Sequence, residues 1–122
     1  MSDNGKAVIN LTSGHEDADK VTVAFLVATA ALTAGKSVTM FLTKEAVRLG
    51  LPGYADAIES AGAPPVKGLF EQYRDGGGEL FVCPICFKAR ALDETALLPG
   101  AKLAGATPLW EWIGEGATVF SY

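Results

Sequence analysis

Two cysteines three residues apart are the feature of this 122-residue chain that is most suggestive of chemistry. Cys83 follows the apolar run 79–82 (ELFV), which reads as a buried strand, and Pro84 then opens a predicted helix. Proline suits the first helical position, because the N–H that it lacks would have no partner within the helix. The free N–H groups and the positive dipole end of a helix favour a thiolate over a thiol. We therefore predict that Cys83 and Cys86 are catalytic, with Cys83 the more acidic and reactive of the two.

Three kinds of chemistry fit this pair of thiols. In the first, Cys83 accepts sulfane sulfur as a persulfide and passes it on, with cationic help from Lys88 or Arg90. In the second, Cys83 and Cys86 exchange between dithiol and disulfide, since one helical turn brings positions i and i+3 together. In the third, both cysteines and His15 bind a metal ion, although zinc needs three or four protein ligands and the chain offers only these candidates.

Each of these residues also has a plainer interpretation. Buried cysteines often behave as small hydrophobic residues of the core. The C-x-x-C spacing at a strand-to-helix junction favours reactive thiols over this structural role. His15 is either a simple turn residue or a general base near the thiolate. A non-catalytic, oligomeric binding module with incidental cysteines is a further alternative for the whole chain.

The elements that position the cysteines alternate between strands and helices. Strands are predicted at 6–12, 37–43, 79–82, 102–104 and 117–122. Helices are predicted at 16–34, 44–49, 66–74, 84–92 and 108–113, with a further helical turn or two at 54–61. The strands are apolar without alternation, as in a parallel sheet that is covered on both faces. We predict one domain over residues 1–122, a three-layer α/β/α sandwich around a mainly parallel five-stranded sheet.

Ligands of such sheets bind beyond the carboxyl ends of the strands. Four strand-to-helix junctions meet at that edge, and two of them place a candidate cap before a proline, at Cys83-Pro84 and at Thr107-Pro108. Arg90 is four residues after Cys86, so its side chain can face the second sulfur. Besides the two cysteines, the predicted site-lining residues are Ser13, Gly14, His15, Thr43, Pro84, Arg90 and Thr107.

Composition limits the partners and the compartment. A net charge of −4 and an isoelectric point near 4.9 argue against nucleic acid and against an anionic membrane surface. Residues 1–6 lack the pattern of a signal peptide, and the uncharged run 21–35 is too short to span a bilayer. We therefore expect a cytoplasmic protein, without a cofactor, in which two cysteines do chemistry rather than form a structural disulfide.

The first predicted helix carries information on assembly. No charge interrupts residues 21–34 (VTVAFLVATAALTA), and a helix that is apolar all round is usually buried on more than one side. Because a small three-layer domain cannot cover its outer side, we expect this helix to contact another subunit. Trp110 and Trp112 are expected in the core or at a subunit contact, since their bulk dominates packing.

The order of these features resembles the DsrE/DsrF/TusD family of small α/β sulfur-trafficking proteins over nearly the whole chain. The most specific likeness lies in residues 80–83 (LFVC) followed by 88–92 (KARAL). The resemblance implies that Cys83 matches the cysteine that carries a persulfide, with sulfur donors and acceptors, either proteins or small sulfur compounds, as partners. Members of the family assemble as trimers, hexamers or heterohexamers, and we expect this chain to form a homo-oligomer, a trimer or a hexamer. Pro84 and Cys86 depart from the small apolar residues that follow the cysteine in the sulfur-carrying members.

Overall fold

The computed structural model describes residues 5–122. The expectation about a signal peptide at residues 1–6 therefore falls largely outside the described range. Within this range, five strands and four α-helices follow one another. They are β1 (Lys6–Leu11), α1 (Ala18–Thr33), β2 (Ser37–Leu42), α2 (Val66–Asp75), β3 (Glu79–Val82), α3 (Pro84–Ala89), β4 (Ala101–Leu103), α4 (Ala106–Ile113) and β5 (Thr118–Ser121). Short 3-10 helices lie at Lys44–Gly50, Tyr54–Ala57 and Glu94–Ala96.

The strands form one sheet in the order β4-β3-β2-β1-β5, and every neighbouring pair is parallel. The chain moves from β1 through β4 in one direction, so right-handed crossovers place α1 and α2 on the same face. The connection from β4 to β5 runs back across the sheet and places α4 on the opposite face. This confirms the predicted three-layer α/β sandwich, with a sheet that is parallel throughout.

The main core lies between the sheet and the layer formed by α1, α2 and the 3-10 helix Lys44–Gly50. Phe25 of α1 packs edge-on against Phe70 and Tyr73 of α2. The Tyr73 hydroxyl donates to the Glu79 carbonyl oxygen at 2.6 Å, and burial raises the pKa of this phenol far above its ordinary value. These contacts fix α2, and with it the start of β3, the strand that leads to the cysteines.

The opposite face has a thinner cover, because α4 is the helix that crosses it. The Trp112 indole N–H donates to the Glu79 carboxylate at 3.2 Å, and the Lys6 ammonium donates to the Trp112 carbonyl oxygen at 2.7 Å. No residue of α4 is buried, and Trp110 is 72% exposed. Trp110 therefore does not lie in the core, one of the two placements expected from the sequence.

Several helix boundaries differ from those predicted, and three of them have a clear local cause. α1 begins at Ala18, because the Asp17 side chain caps it by accepting from the Lys20 N–H at 3.1 Å. α3 ends at Ala89 instead of residue 92, and Ala91 then has a φ of 52°, a left-handed conformation that stops a helix. α4 begins at Ala106 with Gly105 as its N-cap, so Thr107 lies inside the first turn and is not the cap.

Within residues 5–122, no helix combines the length and the apolar character needed to cross a membrane.

Candidate functional site

Cys83 is fixed from two sides at the carboxyl end of β3. Its backbone N–H donates to the Leu42 carbonyl oxygen of β2 at 2.9 Å, which prolongs the sheet ladder by one bond. Its carbonyl oxygen accepts from the Phe87 N–H at 3.0 Å and so closes the first turn of α3. Cys83 is the N-cap of α3 and Pro84 its first residue, as predicted. Cys83 and Cys86 are both free thiols, half-buried against the core.

Arg90 is held beside the residue that carries the second sulfur. One guanidinium nitrogen of Arg90 (Nη1) donates to the Cys86 carbonyl oxygen at 3.2 Å, and its Nε donates to the Glu45 carboxylate at 2.6 Å. The hydrogen bond to Glu45 raises the pKa of Arg90 above its ordinary value, with smaller contributions from the charges of Cys86 and Glu16. Of the two cations considered from the sequence, Arg90 is therefore the one in contact with the Cys86 residue.

Glu45 joins two arginines from different parts of the chain. Its second carboxylate oxygen accepts from Arg48 Nε at 2.8 Å. The hydrogen bonds from Arg90 and then Arg48 hold the pKa of Glu45 below its ordinary value. Arg90 follows α3, whereas Glu45 and Arg48 belong to the 3-10 helix after β2, so the carboxylate links the cysteine helix to its neighbour at the sheet edge.

A cleft of about 450 Å³ opens at this edge and is lined by His15, Glu16, Glu45, Arg48 and Tyr54. The rings of His15 and Tyr54 are stacked, with centroids 3.7 Å apart and planes 3° from parallel. The His15 backbone N–H donates to the Tyr54 hydroxyl, and His15 Nε2 lies within hydrogen-bond distance of the Tyr54 carbonyl oxygen, each at 2.8 Å. Burial raises the pKa of Tyr54. The loop after β1 and the Tyr54 turn thus form one wall of the cleft.

Gly14 allows these two segments to approach. A Cβ at this position would collide with the Tyr54 hydroxyl and would lie 3.1 Å from the Glu45 carbonyl oxygen. The Gly14 N–H donates to the Glu16 carboxylate at 2.8 Å. Gly14 therefore contributes to the cleft wall because it has no side chain, which lets Tyr54 lie against the loop after β1.

The other predicted site residues lie at the same edge of the sheet. Ser13 is buried in the loop after β1. Thr43 directly follows β2, and its N–H donates to the Leu11 carbonyl oxygen at 3.1 Å. Gly105 lies beside Pro84, since a Cβ on Gly105 would be 3.5 Å from Pro84 Cδ. The junctions before α3 and α4 are therefore neighbours, with Thr107 exposed on the second of them.

The two groups of predicted residues occupy different parts of this edge. His15 lines the cleft, whereas neither cysteine is among the lining residues. The contact of Arg90 with Glu45 connects the two parts. Four residues that line the cleft were not predicted from the sequence: Glu16, Glu45, Arg48 and Tyr54. The one available signal was the spacing of Glu45 and Arg48, since opposite charges three residues apart on a helix can form an ion pair.

The residues that the structure describes do not support a metal site. In the described part of the chain, no three side chains among His, Cys, Asp and Glu are grouped so that they could hold a metal ion. His15, the third ligand in that hypothesis, is engaged with Tyr54.

Solved structures share this fold. The YchN protein of E. coli superimposes with a TM-score of 0.77 at 18% identity, covering 97% of this chain and 99% of its own. A conserved protein of unknown function from Bacteroides thetaiotaomicron gives 0.67 at 17% identity, with 98% and 96% covered. One from Methanobacterium thermoautotrophicum gives 0.67 at 15% identity, with 98% and 100% covered. At these identities the likeness shows the fold alone.

Sequence comparison identifies two archaeal relatives and the family of the chain. An uncharacterised protein of Methanopyrus kandleri is 33% identical over 93 residues, 75% of this chain and 73% of its own length. An uncharacterised protein of Methanocaldococcus jannaschii is 27% identical over 108 residues, 88% of this chain, and the match spans only 39% of that relative. The sequence model of the DsrE/DsrF-like family matches residues 5–122. The chain therefore belongs to the DsrE/DsrF-like family.

Proposed function

We propose that the protein carries sulfane sulfur as a persulfide on Cys83. Family membership suggests a role related to sulfur relay, and the sequence relatives named above are uncharacterised, so the chemical step is our inference. The observation that carries it is the position of Cys83, a free and partly accessible thiol between the end of β3 and the first turn of α3. Hydrogen bonds of its N–H and carbonyl groups hold the backbone that carries the sulfur at the sheet edge.

The loading step needs one nucleophile and one leaving group. The Cys83 thiolate attacks the outer sulfur of a donor persulfide or polysulfide, and a bond forms between Cys83 Sγ and that sulfur. The sulfur–sulfur bond of the donor breaks, and its electron pair leaves with the remaining donor thiolate. Transfer to an acceptor thiolate repeats the same exchange in the opposite direction and regenerates the Cys83 thiolate. No cofactor enters this cycle.

The apolar surface supports a homo-oligomer, for which we propose a trimer or a hexamer. Val23 and Leu26 are 42% and 39% exposed on the outer side of α1. Trp110 of α4 and the edge strand β5, with Val119 and Phe120, expose further large apolar side chains. Exposed apolar side chains on these elements are candidates for burial at subunit contacts. We propose donor and acceptor proteins or small sulfur compounds as the other partners, and the cytoplasm as the compartment.

Intact mass spectrometry tests the persulfide directly. Reduced protein is incubated with inorganic polysulfide, freed of excess reagent and compared with its Cys83→Ser and Cys86→Ser variants. Loading on Cys83 predicts that Cys86→Ser gains one sulfur atom, which dithiothreitol removes, and that Cys83→Ser gains none. Loading that survives in Cys83→Ser would refute the assignment of the carrier.

Dithiol–disulfide exchange is the second candidate function, and the spacing of the two free cysteines on one turn of α3 favours it. Under this function, turnover of a disulfide substrate requires both thiols, and oxidised protein is two hydrogen atoms lighter than reduced protein. Persulfide loading on Cys86→Ser distinguishes the two functions, because a carrier needs only Cys83.

A further inference from the structure

Cys86 occupies the third position of α3, with Cys83 as the N-cap. These two positions face each other at the start of a helix, as the reciprocal hydrogen bonds of a capping box show. Ideal helix geometry places the Cα atoms of residues i and i+3 about 5 Å apart. Disulfides accept Cα separations of about 4.4–6.8 Å. A bond between the two sulfurs therefore requires little movement of the backbone.

A cation accompanies the second cysteine. The Arg90 guanidinium donates to the Cys86 carbonyl oxygen at 3.2 Å, and Glu45 anchors it from the neighbouring 3-10 helix. The contact holds the Cys86 residue in place at the start of α3, and a positioned thiolate is the attacking species in sulfur exchange. Cys86 is thus a second potential nucleophile within reach of whatever Cys83 carries.

We propose that Cys86 is a resolving thiol that discharges the Cys83 persulfide as hydrosulfide and leaves a Cys83–Cys86 disulfide. This inference rests on the proposed function, since it requires sulfur to be loaded on Cys83. It adds a second fate for that sulfur, reductive release, which competes with transfer to an acceptor.

The step balances without an external oxidant. The Cys86 thiolate attacks Cys83 Sγ, and a bond forms between the two cysteine sulfurs. The bond from Cys83 Sγ to the outer sulfur breaks, and that sulfur leaves as HS⁻ with the electron pair. The sulfane sulfur is reduced to sulfide, and the two cysteines together supply the two electrons. A dithiol reductant such as dithiothreitol then restores both thiols.

The test follows released sulfide and protein mass together. Wild-type and Cys86→Ser proteins receive about one equivalent of sulfane sulfur as inorganic polysulfide, without acceptor or reductant. Wild type is expected to release the sulfur as sulfide and to become two hydrogen atoms lighter than the reduced chain. Cys86→Ser is expected to stay one sulfur atom heavier and to release sulfide at least about tenfold more slowly. Ile85→Ala is the matched control, because Ile85 lies between the cysteines, is 80% exposed and should leave the release unchanged.

The outcomes separate this inference from the proposed function. Persulfide that persists equally on wild type and Cys86→Ser overturns the resolving role and leaves carriage by Cys83 intact. Failure of every variant to load overturns carriage, and the resolving role with it. A Cys83→Ser protein that becomes and stays one sulfur atom heavier reverses the two roles and overturns the inference as stated.

Arg90 is a positioning residue in this scheme, and its role has its own readout. Arg90→Gln should slow sulfide release about two- to fivefold, because it removes the hydrogen bond to the Cys86 carbonyl oxygen, while persulfide loading on Cys83 stays unchanged. Arg90→Lys should restore part of the rate. A loss of loading and of release by the same factor in Arg90→Gln would indicate a merely structural effect and refute the positioning role.

Discussion

Gly14→Ala tests how the cleft wall is built. Gly14 carries no left-handed backbone strain, so alanine is acceptable to the main chain and the cost comes from contact alone. The added Cβ would meet the Tyr54 hydroxyl and, at 3.1 Å, the Glu45 carbonyl oxygen. The carbonyl belongs to a short helix that Glu45 and Arg48 hold in place, so the Tyr54 ring is the group that must move.

The contacts of Tyr54 set the size of the effect. Movement of the ring breaks its hydrogen bond to the His15 N–H, worth about 0.5–1 kcal/mol at this partly exposed site. It also disturbs the stack with His15, and aromatic pairs contribute about 0.5–1.5 kcal/mol. If the ring stays, overpacking costs about 1–3 kcal/mol. Either way, the free energy of unfolding should fall by about 2 kcal/mol, which lowers a urea midpoint by about 1 M.

Urea unfolding of matched variants measures this difference. Gly116→Ala is the control, because a Cβ there meets no atom within 4 Å and its φ is not left-handed, so its stability should change little. Tyr54→Phe removes the hydroxyl with which the Cβ added by Gly14→Ala collides. The Gly14→Ala/Tyr54→Phe double variant should therefore lose less stability than the sum of the losses in the two single variants. A Gly14→Ala protein as stable as Gly116→Ala, or strictly additive losses, would refute the packing of Gly14 under Tyr54.

Three further predictions concern the core, the charged bridge and the assembly. Tyr73→Phe should lower the free energy of unfolding by about 1 kcal/mol, because it removes the buried hydrogen bond to the Glu79 carbonyl oxygen. An unchanged urea midpoint would show that this bond does not stabilise the protein. Glu45 has a lowered pKa in the folded protein, so its contribution to stability is present above the ordinary carboxyl pKa and disappears as pH falls through the lowered value. Wild type should therefore exceed Glu45→Gln in stability at neutral pH and converge with it in acid; an equal gap at both pH values in urea titrations would contradict this. Leu26→Glu on the outer side of α1 should dissociate the proposed oligomer, whereas Lys67→Glu on α2 should leave it intact, and light scattering measures both. A wild type that is monomeric at micromolar concentration would rule out the proposed assembly.

The fold was predictable because its signals are local. Apolar strands without alternation, a proline after Cys83 and glycines at helix ends each follow from neighbouring residues. The boundaries that were wrong depend on single backbone choices. The left-handed Ala91 ends α3 early, and Gly105 caps α4 in place of Thr107. Neither choice is encoded by the residue type, since alanine seldom adopts φ above zero and threonine is a good cap.

The site was only partly predictable, because its contacts are distant in sequence. The sheet edge, the cysteine pair and Arg90 follow from the order of the elements. The bridge from Arg90 to Glu45 spans 45 residues, and the contact of His15 with Tyr54 spans 39. Spacing rules reach only one or two helical turns. Trp110 illustrates the same limit, since its bulk suggested a core position or a subunit contact, and its exposure of 72% excludes the first of these.

The arrangement gives the two cysteines different supports. Cys83 is positioned by backbone hydrogen bonds to β2 and within α3, which no side-chain substitution removes directly. Cys86 is accompanied by Arg90, whose place depends on the carboxylate of Glu45. Because the two cysteines do not share these contacts, Glu45→Gln should disturb the support of Cys86 and leave the backbone hydrogen bonds of Cys83 in place.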